Sequence, residues 1–223
     1  MIALTRFRIS AYIRSHRVYQ AFLLLLIVIG MVYSNRAPVG GELAALTDAA
    51  VLIIPVLAWS ARSLLDTEPD DQRIISATAV GGPFREVTAG LAAVLAVNLV
   101  FAGLTFGWGL LLGLSASPSS GVLGTAGALH FLALLTGTAL GALTSRPILR
   151  SPALSIMALL VGFLAMLLLS IGPLYWLTVP VTLWMRAAGA GTLVDQLPAL
   201  GAISLGWALL GLAAYGWLRR TRP

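Results

Sequence analysis

Residues 61–90 read ARSLLDTEPDDQRIISATAVGGPFREVTAG, and this polar stretch divides a chain that is otherwise a series of apolar runs. It contains five of the eight acidic residues of the chain and three of its fourteen arginines. These residues are Asp66, Glu68, Asp70, Asp71 and Glu86, with Arg62, Arg73 and Arg85. A segment this rich in charge does not cross a bilayer core, because charged side chains are costly there. We therefore interpret it as the one sizeable surface that the chain offers to a soluble partner.

The composition of the whole chain is that of an integral membrane protein. Of its 223 residues, 59% are hydrophobic and only 10% are charged, and the mean hydropathy is +0.95. A soluble domain carries roughly 25% charged residues. The length suits one membrane domain over residues 1–223 and leaves no room for a second globular unit. We predict an all-α integral membrane fold.

Six apolar runs approach or reach the roughly 20 residues that are needed to cross a bilayer core. They are residues 18–33, 43–59, 87–114, 122–143, 153–171 and 200–218. Pro55 lies inside the second run and is expected to kink it, because proline removes a backbone hydrogen bond. The pattern predicts six transmembrane helices.

Two of the segments outside these runs have a helical signal. Residues 1–17 mix four arginines with apolar residues, which predicts a helix that lies at the bilayer interface. Within a loop over residues 61–86, a second helix is expected from Glu68 to about Val80, ended by two glycines and a proline.

Residues 174–198 connect the last two apolar runs. The part from 174 to 185 is apolar and has aromatic residues at both ends, but it is too short to cross a membrane. We expect an extracellular segment that lies in the interface or re-enters the bilayer.

The arginines predict the orientation of the chain. With both termini inside, twelve arginines lie in the inner segments, and only Arg36 and Arg186 lie outside. Basic residues concentrate in cytoplasmic loops of membrane proteins. Both termini and the loop over residues 61–86 are therefore predicted to be cytoplasmic, in a multi-pass protein of a bacterial cell membrane.

The sequence lacks the residues that several classes of chemistry require. The fourteen basic residues are all arginine, so the chain has no lysine for a phosphate-binding P-loop and no ATPase site of its own. It has no cysteine, and its two histidines, His16 and His130, are far apart, so we predict neither a metal site nor a cofactor in this chain. The formal charge of +6 is interpreted as membrane topology and not as a nucleic-acid-binding surface.

Three polar residues lie nearest the middle of the predicted membrane region, namely Asp48, Asn98 and His130. Ionisable and polar groups within a membrane are candidates for lining a substrate pathway. Two structural interpretations stay open beside this one. Asp48 lies close to the outer end of its run and could be in water, and Asn98 and His130 could form hydrogen bonds between helices.

The order of these elements resembles that of an ABC-2 type permease, the membrane subunit of an ATP-binding-cassette exporter. The local resemblance is carried by the acidic residues 66–71 (DTEPDD) and by residues 82–86 (GPFRE), which lead into the third run. The resemblance implies that residues 61–86 are a coupling loop, whose helix docks on a separate ATPase subunit that binds ATP and magnesium. It also implies a second permease subunit, identical or related, that completes the pathway. The loop residues assigned to the ATPase interface are Asp66, Glu68, Asp70, Asp71, Arg73, Arg85 and Glu86. A solvated helix face is the other interpretation of these charges.

Two further functions stay open. A self-contained ion-coupled transporter could use Asp48 or His130 and would need no ATPase. An intramembrane enzyme could use Ser119 or Ser120 with His130, although no Gly-x-Ser motif frames either serine. We predict a transport subunit and not an enzyme, and a P-loop ATPase encoded in the neighbouring reading frame would favour the exporter.

Overall fold

The computed structural model describes residues 1–221, without the side chain of Asp70, and 80% of it is helical with no named strand. The helices are α1 Ile2–Arg14, α2 Arg17–Val32, α3 Glu42–Leu52, α4 Ile54–Leu65, α5 Asp70–Val80, α6 Pro83–Trp108, α7 Ser120–Leu143, α8 Pro152–Leu169, α9 Val181–Gly189 and α10 Leu193–Thr221. A π-helical turn, Gly109–Gly113, continues α6, and a short 3₁₀ turn, Tyr175–Leu177, precedes α9. The predicted all-α fold is confirmed for this part of the chain.

Five segments within residues 1–221 are long and apolar enough to cross a membrane. They are Glu42–Leu65, Pro83–Gly113, Ser120–Leu143, Pro152–Leu169 and Leu193–Thr221. A sixth is added if α1 and α2, which meet at a bend of 73°, are counted as one broken span. The predicted first span corresponds to α2, which has 16 residues. The described part of the chain therefore has five or six potential membrane spans.

Two helices extend beyond the predicted ends of their apolar runs. The second run was expected to end at Trp59, with a loop from residue 61, but α4 continues to Leu65 and buries residues 61–65. The guanidinium of Arg62, which looked like the end of a span, donates a hydrogen bond to Ser155 on α8. The last run was expected to begin at Leu200, after a loop, but α10 begins at Leu193 and includes Pro198. A charged residue is therefore a poor marker of a helix end when another helix provides it with a hydrogen-bond partner. A proline is a poor marker when it lies in the first turns of a helix.

The interruption between α3 and α4 agrees with the kink expected in the second run. The helix breaks at Ile53, two residues before Pro55. Because Pro55 has no backbone N–H, the carbonyl of Val51 loses its helical partner, which accounts for the interruption at this turn. The amide of Leu57 resumes the helical pattern with a 2.9 Å hydrogen bond to the carbonyl of Ile53.

Helix α7 is the centre of the bundle and contacts α3, α4, α6 and α10. Its contact with α4 needs glycine, because a Cβ atom on Gly141 would lie 2.3 Å from the carbonyl oxygen of Ala58, and one on Gly137 would lie 2.6 Å from Cβ of Leu57. Small residues permit this close approach of two helix backbones in membranes. In contrast, α8 lies on the outside of the bundle, and Ser155 and Leu159 are its only buried residues.

The segments that are predicted to be cytoplasmic meet at one end of the bundle. This charged end comprises α1, residues 66–69, the start of α6, the connector at residues 144–151 and the end of α10, which are joined by hydrogen bonds and ion pairs. Away from the charged end, the segment after α2 is hydrogen-bonded to the end of the π-helical turn. The backbone N–H of Ala37 donates to the carbonyl of Gly113 at 2.8 Å, and the backbone N–H of Ser115 donates to the carbonyl of Ala37 at 3.1 Å. The grouping of both termini with the polar loop agrees with the predicted topology, although Arg222, one of the arginines that predicted it, lies outside the described residues.

Candidate functional site

Helix α5 is a short separate helix at the charged end of the bundle. It begins after Pro69, which is extended, and it ends at Gly81 and Gly82, whose φ angles are +85° and +128°. These values suit glycine, since side chains with a Cβ atom are strained there. The predicted end of this helix at two glycines is confirmed, and α6 follows at once with Pro83 in its first turn.

A buried charge cluster joins the base of α5 to three other helices. It consists of Arg8 on α1, Glu68 just before α5, Glu86 on α6 and Arg219 on α10. The guanidinium of Arg8 donates to the Glu68 carboxylate, with a distance of 3.0 Å from Nε, and to the Glu86 carboxylate. Arg219 donates to the other oxygen of Glu86 at 2.9 Å. Two positive and two negative groups therefore balance within the bundle.

The cluster is closely fitted into its surroundings. The exposed fractions of the Arg8, Glu68 and Glu86 side chains are only 7%, 5% and 5%. A Cβ atom on Gly90 would lie 2.5 Å from Nη1 of Arg8, so glycine at position 90 makes room for the guanidinium. Burial opposes the charge of Arg8, but the two glutamates outweigh this effect and raise the pKa of Arg8 above its ordinary value. Arg8 therefore stays charged in the folded protein.

Asp66 forms a second connection at the charged end. Its carboxylate accepts a 2.7 Å hydrogen bond from the backbone N–H of Arg146, in the connector between α7 and α8. The carboxylate also lies 3.8 Å from the guanidinium of Arg62, and its backbone carbonyl accepts a 3.0 Å hydrogen bond from Arg17. Burial raises the pKa of Asp66 above its ordinary value. The hydrogen bond from Arg146 and the nearby guanidinium groups lower this pKa, but they do not outweigh burial.

The residues assigned from the sequence to a partner interface divide into two groups. Asp66, Glu68, Arg73 and Glu86 are buried within the chain, and Arg73 donates a 2.9 Å hydrogen bond to the carbonyl of Leu65. Asp71 and Arg85 are exposed, and the side chain of Asp70 lies outside the description. Glu68 and Arg73 attach α5 to the bundle, and among the described side chains of this set only Asp71 and Arg85 are accessible to another protein.

The exposed surface of α5 is also apolar, which the sequence analysis missed. Ile74 and Ile75 are each 67% exposed, and Phe84, at the start of α6, is 58% exposed. The guanidinium of Arg220 lies over the Phe84 ring, 4.9 Å from its centroid. Two adjacent isoleucines in a short helix that begins with four polar residues were the signal available in the sequence.

Arg8 and Arg219 were also missed as site residues. The sequence analysis counted them only as topology signals. Arg8 lies on the same face of α1 as Leu4 and Tyr12, at a spacing of four residues, and all three are buried. This spacing was the available sign that Arg8 faces the bundle.

The three polar residues of the predicted membrane region lie in separate surroundings. Asn98 is fully buried, and its amide donates to the carbonyl of Leu57 at 3.1 Å and to Thr138 at 3.0 Å, which ties α6 to α4 and α7. His130 is 4% exposed, with Nδ1 2.9 Å from the carbonyl of Ala126. Asp48 is half-buried. The surroundings of Asn98 agree with the helix-bridging interpretation, and no contact within the described chain joins these three residues into one site.

Neither the potential metal ligands of the described chain nor its comparison with known proteins indicates a further site. Within residues 1–221, no group of three histidine, cysteine or carboxylate residues could hold a metal ion. Compared with protein-family models, curated proteins and solved structures, the chain matches none. The geometry of the charged end is therefore the basis for a functional interpretation.

Proposed function

We propose that this protein is the permease subunit of an ATP-binding-cassette exporter of the ABC-2 type, in a bacterial cell membrane. The observation that carries the proposal is the arrangement of α5. This helix is fixed at its base by the buried charge cluster, and it presents Ile74 and Ile75 outward. A short helix with a fixed base and an exposed apolar surface is suited to docking in a cleft of a soluble subunit.

The apolar side chains of α5 supply most of the docking energy in this proposal. Burial of an isoleucine side chain contributes about 1.5–3 kcal/mol, whereas an exposed ion pair contributes about 0.2–1 kcal/mol. Ile74 and Ile75 therefore form the centre of the contact, and the exposed Asp71 and Arg85 lie at its edge and contribute specificity.

The buried charge cluster transmits movement of α5 to the membrane helices. Arg8 and Glu86 connect the base of α5 with α1 and α6, and Arg219 adds α10. A change in the position of α5 would break charged hydrogen bonds in a poorly hydrated site unless these helices moved with it. Force from ATP hydrolysis on the partner thus reaches the helices as a unit.

The energy source and the pathway both need other subunits. Without lysine the chain has no P-loop, so ATP and Mg²⁺ belong to the ATPase partner. The close contact of α4 with α7 through Gly137 and Gly141 fills the middle of the bundle. We therefore assign the pathway to the space between two permease subunits, surrounded by membrane lipids.

The proposal is tested by purifying the chain alone and together with a P-loop ATPase from a neighbouring reading frame of its host. We expect no ATP hydrolysis by the chain alone, co-purification of the two proteins, and hydrolysis that changes when the complex is reconstituted in membranes. Uptake into vesicles that contain this chain alone, driven by a pH gradient, would overturn the proposal and establish the self-contained transporter instead.

A second prediction concerns the orientation of the chain. The chain has no cysteine, so single cysteines report their own accessibility. We expect an impermeant maleimide to label Arg36→Cys in intact cells and to label Asp71→Cys only after the cells are opened. Both positions are exposed in the folded chain, so burial does not prevent labelling. Labelling of Asp71→Cys from outside would reverse the topology and remove α5 from the reach of a cytoplasmic ATPase.

A further inference from the structure

Helix α1 has an outward surface that the bundle does not use. Leu4, Arg8 and Tyr12 face inward, and α1 meets α2 at a bend of 73°, so α1 runs across the direction of the first potential span. On the opposite side of α1, Arg6, Ser10 and Arg14 follow one another at a spacing of four residues. This spacing places the three side chains in one row along the helix.

A shallow, open depression between side chains of α1, here called the groove, lies along this row. It is lined by Arg6, Ile9, Ser10, Ile13 and Arg14. The two arginines are exposed, and neither has an acidic partner among the described residues. The row therefore carries two uncompensated positive charges beside a serine hydroxyl.

Apolar side chains adjoin the basic row. Ile2 and Ile13 are 74% and 51% exposed, and with Ile9 they lie on one side of α1, next to Arg6, Ser10 and Arg14. Exposed isoleucines beside arginines match the boundary between acyl chains and phosphate groups, with the isoleucines in the acyl region and the arginines at the phosphates. A small soluble anion bound by the arginines would leave these isoleucines in water.

We propose that the groove of α1 binds the phosphate of an anionic phospholipid headgroup. Arg6 and Arg14 donate hydrogen bonds to the phosphate oxygens, Ser10 donates a third, and Ile9 and Ile13 contact the acyl chains. Arginine suits this role, since its guanidinium presents several donors to phosphate oxygens. The bound lipid holds α1 at the membrane surface, next to the buried charge cluster that Arg8 contributes to. The proposal does not depend on an ATPase partner.

Native mass spectrometry of the full-length chain in detergent tests the proposal with phosphatidylglycerol, phosphatidylcholine and inorganic phosphate. We expect phosphatidylglycerol to bind wild type in preference to phosphatidylcholine, and inorganic phosphate not to displace it. Each basic residue near an anionic surface contributes about fivefold to association, so Arg6→Gln with Arg14→Gln should weaken phosphatidylglycerol binding on the order of 25-fold. Arg6→Lys with Arg14→Lys should retain most of the binding, which also shows that the positions tolerate substitution.

The matched control is Arg36→Gln with Arg186→Gln, which removes the same charge from two exposed positions outside α1. It should bind phosphatidylglycerol like wild type. Equal binding of phosphatidylglycerol and phosphatidylcholine by wild type would overturn the proposal. Unchanged phosphatidylglycerol binding by the Arg6 and Arg14 glutamine variant would also overturn it, as would an equal loss of phosphatidylglycerol binding in the control. Displacement by inorganic phosphate would show a general anion site and not a lipid site.

Discussion

Replacement of Glu86 with glutamine is expected to lower the stability of the folded chain more than any other single charge removal at the charged end. Glu86 accepts hydrogen bonds from both Arg8 and Arg219, and its side chain is 5% exposed. Its loss leaves two buried guanidinium groups with one carboxylate. Removal of one partner from a buried ion pair costs about 3–5 kcal/mol. At about 2–4 °C per kcal/mol, the expected fall in unfolding temperature is about 10 °C.

The measurement is thermal unfolding in detergent, followed by the fraction of monodisperse protein. The neighbouring Arg85→Gln is the matched control, because Arg85 is exposed, and it should stay close to wild type. The double variant Glu86→Gln, Arg219→Gln removes one charge of each sign and keeps the Arg8–Glu68 pair, so it should unfold at a higher temperature than Glu86→Gln alone. An unfolding temperature for Glu86→Gln equal to that of Arg85→Gln would show that the buried charge cluster does not stabilise the fold.

Replacement of Ile74 and Ile75 together by serine is expected to abolish association with the ATPase and to leave the fold intact. The two side chains are each 67% exposed, so their removal creates no cavity in the bundle. If both are buried in the complex, the loss is about 3–6 kcal/mol of binding free energy, which is at least a hundredfold in affinity. The measurement is co-purification of the ATPase with equal amounts of permease, together with the unfolding temperature of the free permease.

The control on the same helix is Asp71→Lys, which changes an exposed charge next to the isoleucines. We expect it to weaken association only a few-fold, since exposed charge contacts contribute little individually. Wild-type co-purification by the double isoleucine variant would contradict the proposed docking surface. If Asp71→Lys weakened association more than the isoleucine variant did, the acidic residues and not the isoleucines would form the centre of the interface.

Local signals in the sequence predicted where α5 ends, although the helix begins at Asp70 and not at Glu68 as expected. Glycines at positions 81 and 82 mark the end of α5, and both have positive φ angles in the fold. The concentration of arginines in alternate connectors anticipated that the termini and the polar loop lie together. Such signals are carried by a few neighbouring residues or by a count along the chain, and neither needs knowledge of tertiary contacts.

The burial of the acidic residues could not be predicted in the same way. Glu68 and Glu86 looked like solvated or docking residues because they lie in the most polar stretch of the chain. Their partners are distant in sequence, with Arg8 60 residues from Glu68 and Arg219 133 residues from Glu86. Only the folded chain brings these charges together. The same contacts turn the acids inward and leave the isoleucines of α5 as its exposed surface.

Site-directed photocrosslinking from α5 tests the central claim most directly. The variant Ile75→Cys carries a photoreactive maleimide as the only thiol label in this cysteine-free chain and is illuminated in membranes of its native host. The account predicts one main product, containing a P-loop ATPase identified by mass spectrometry. The same label at Arg36→Cys, which is also exposed but far from the charged end, should give no such product. Absence of a P-loop ATPase from the Ile75→Cys product, or equal crosslinking of it from Arg36→Cys, would contradict the account.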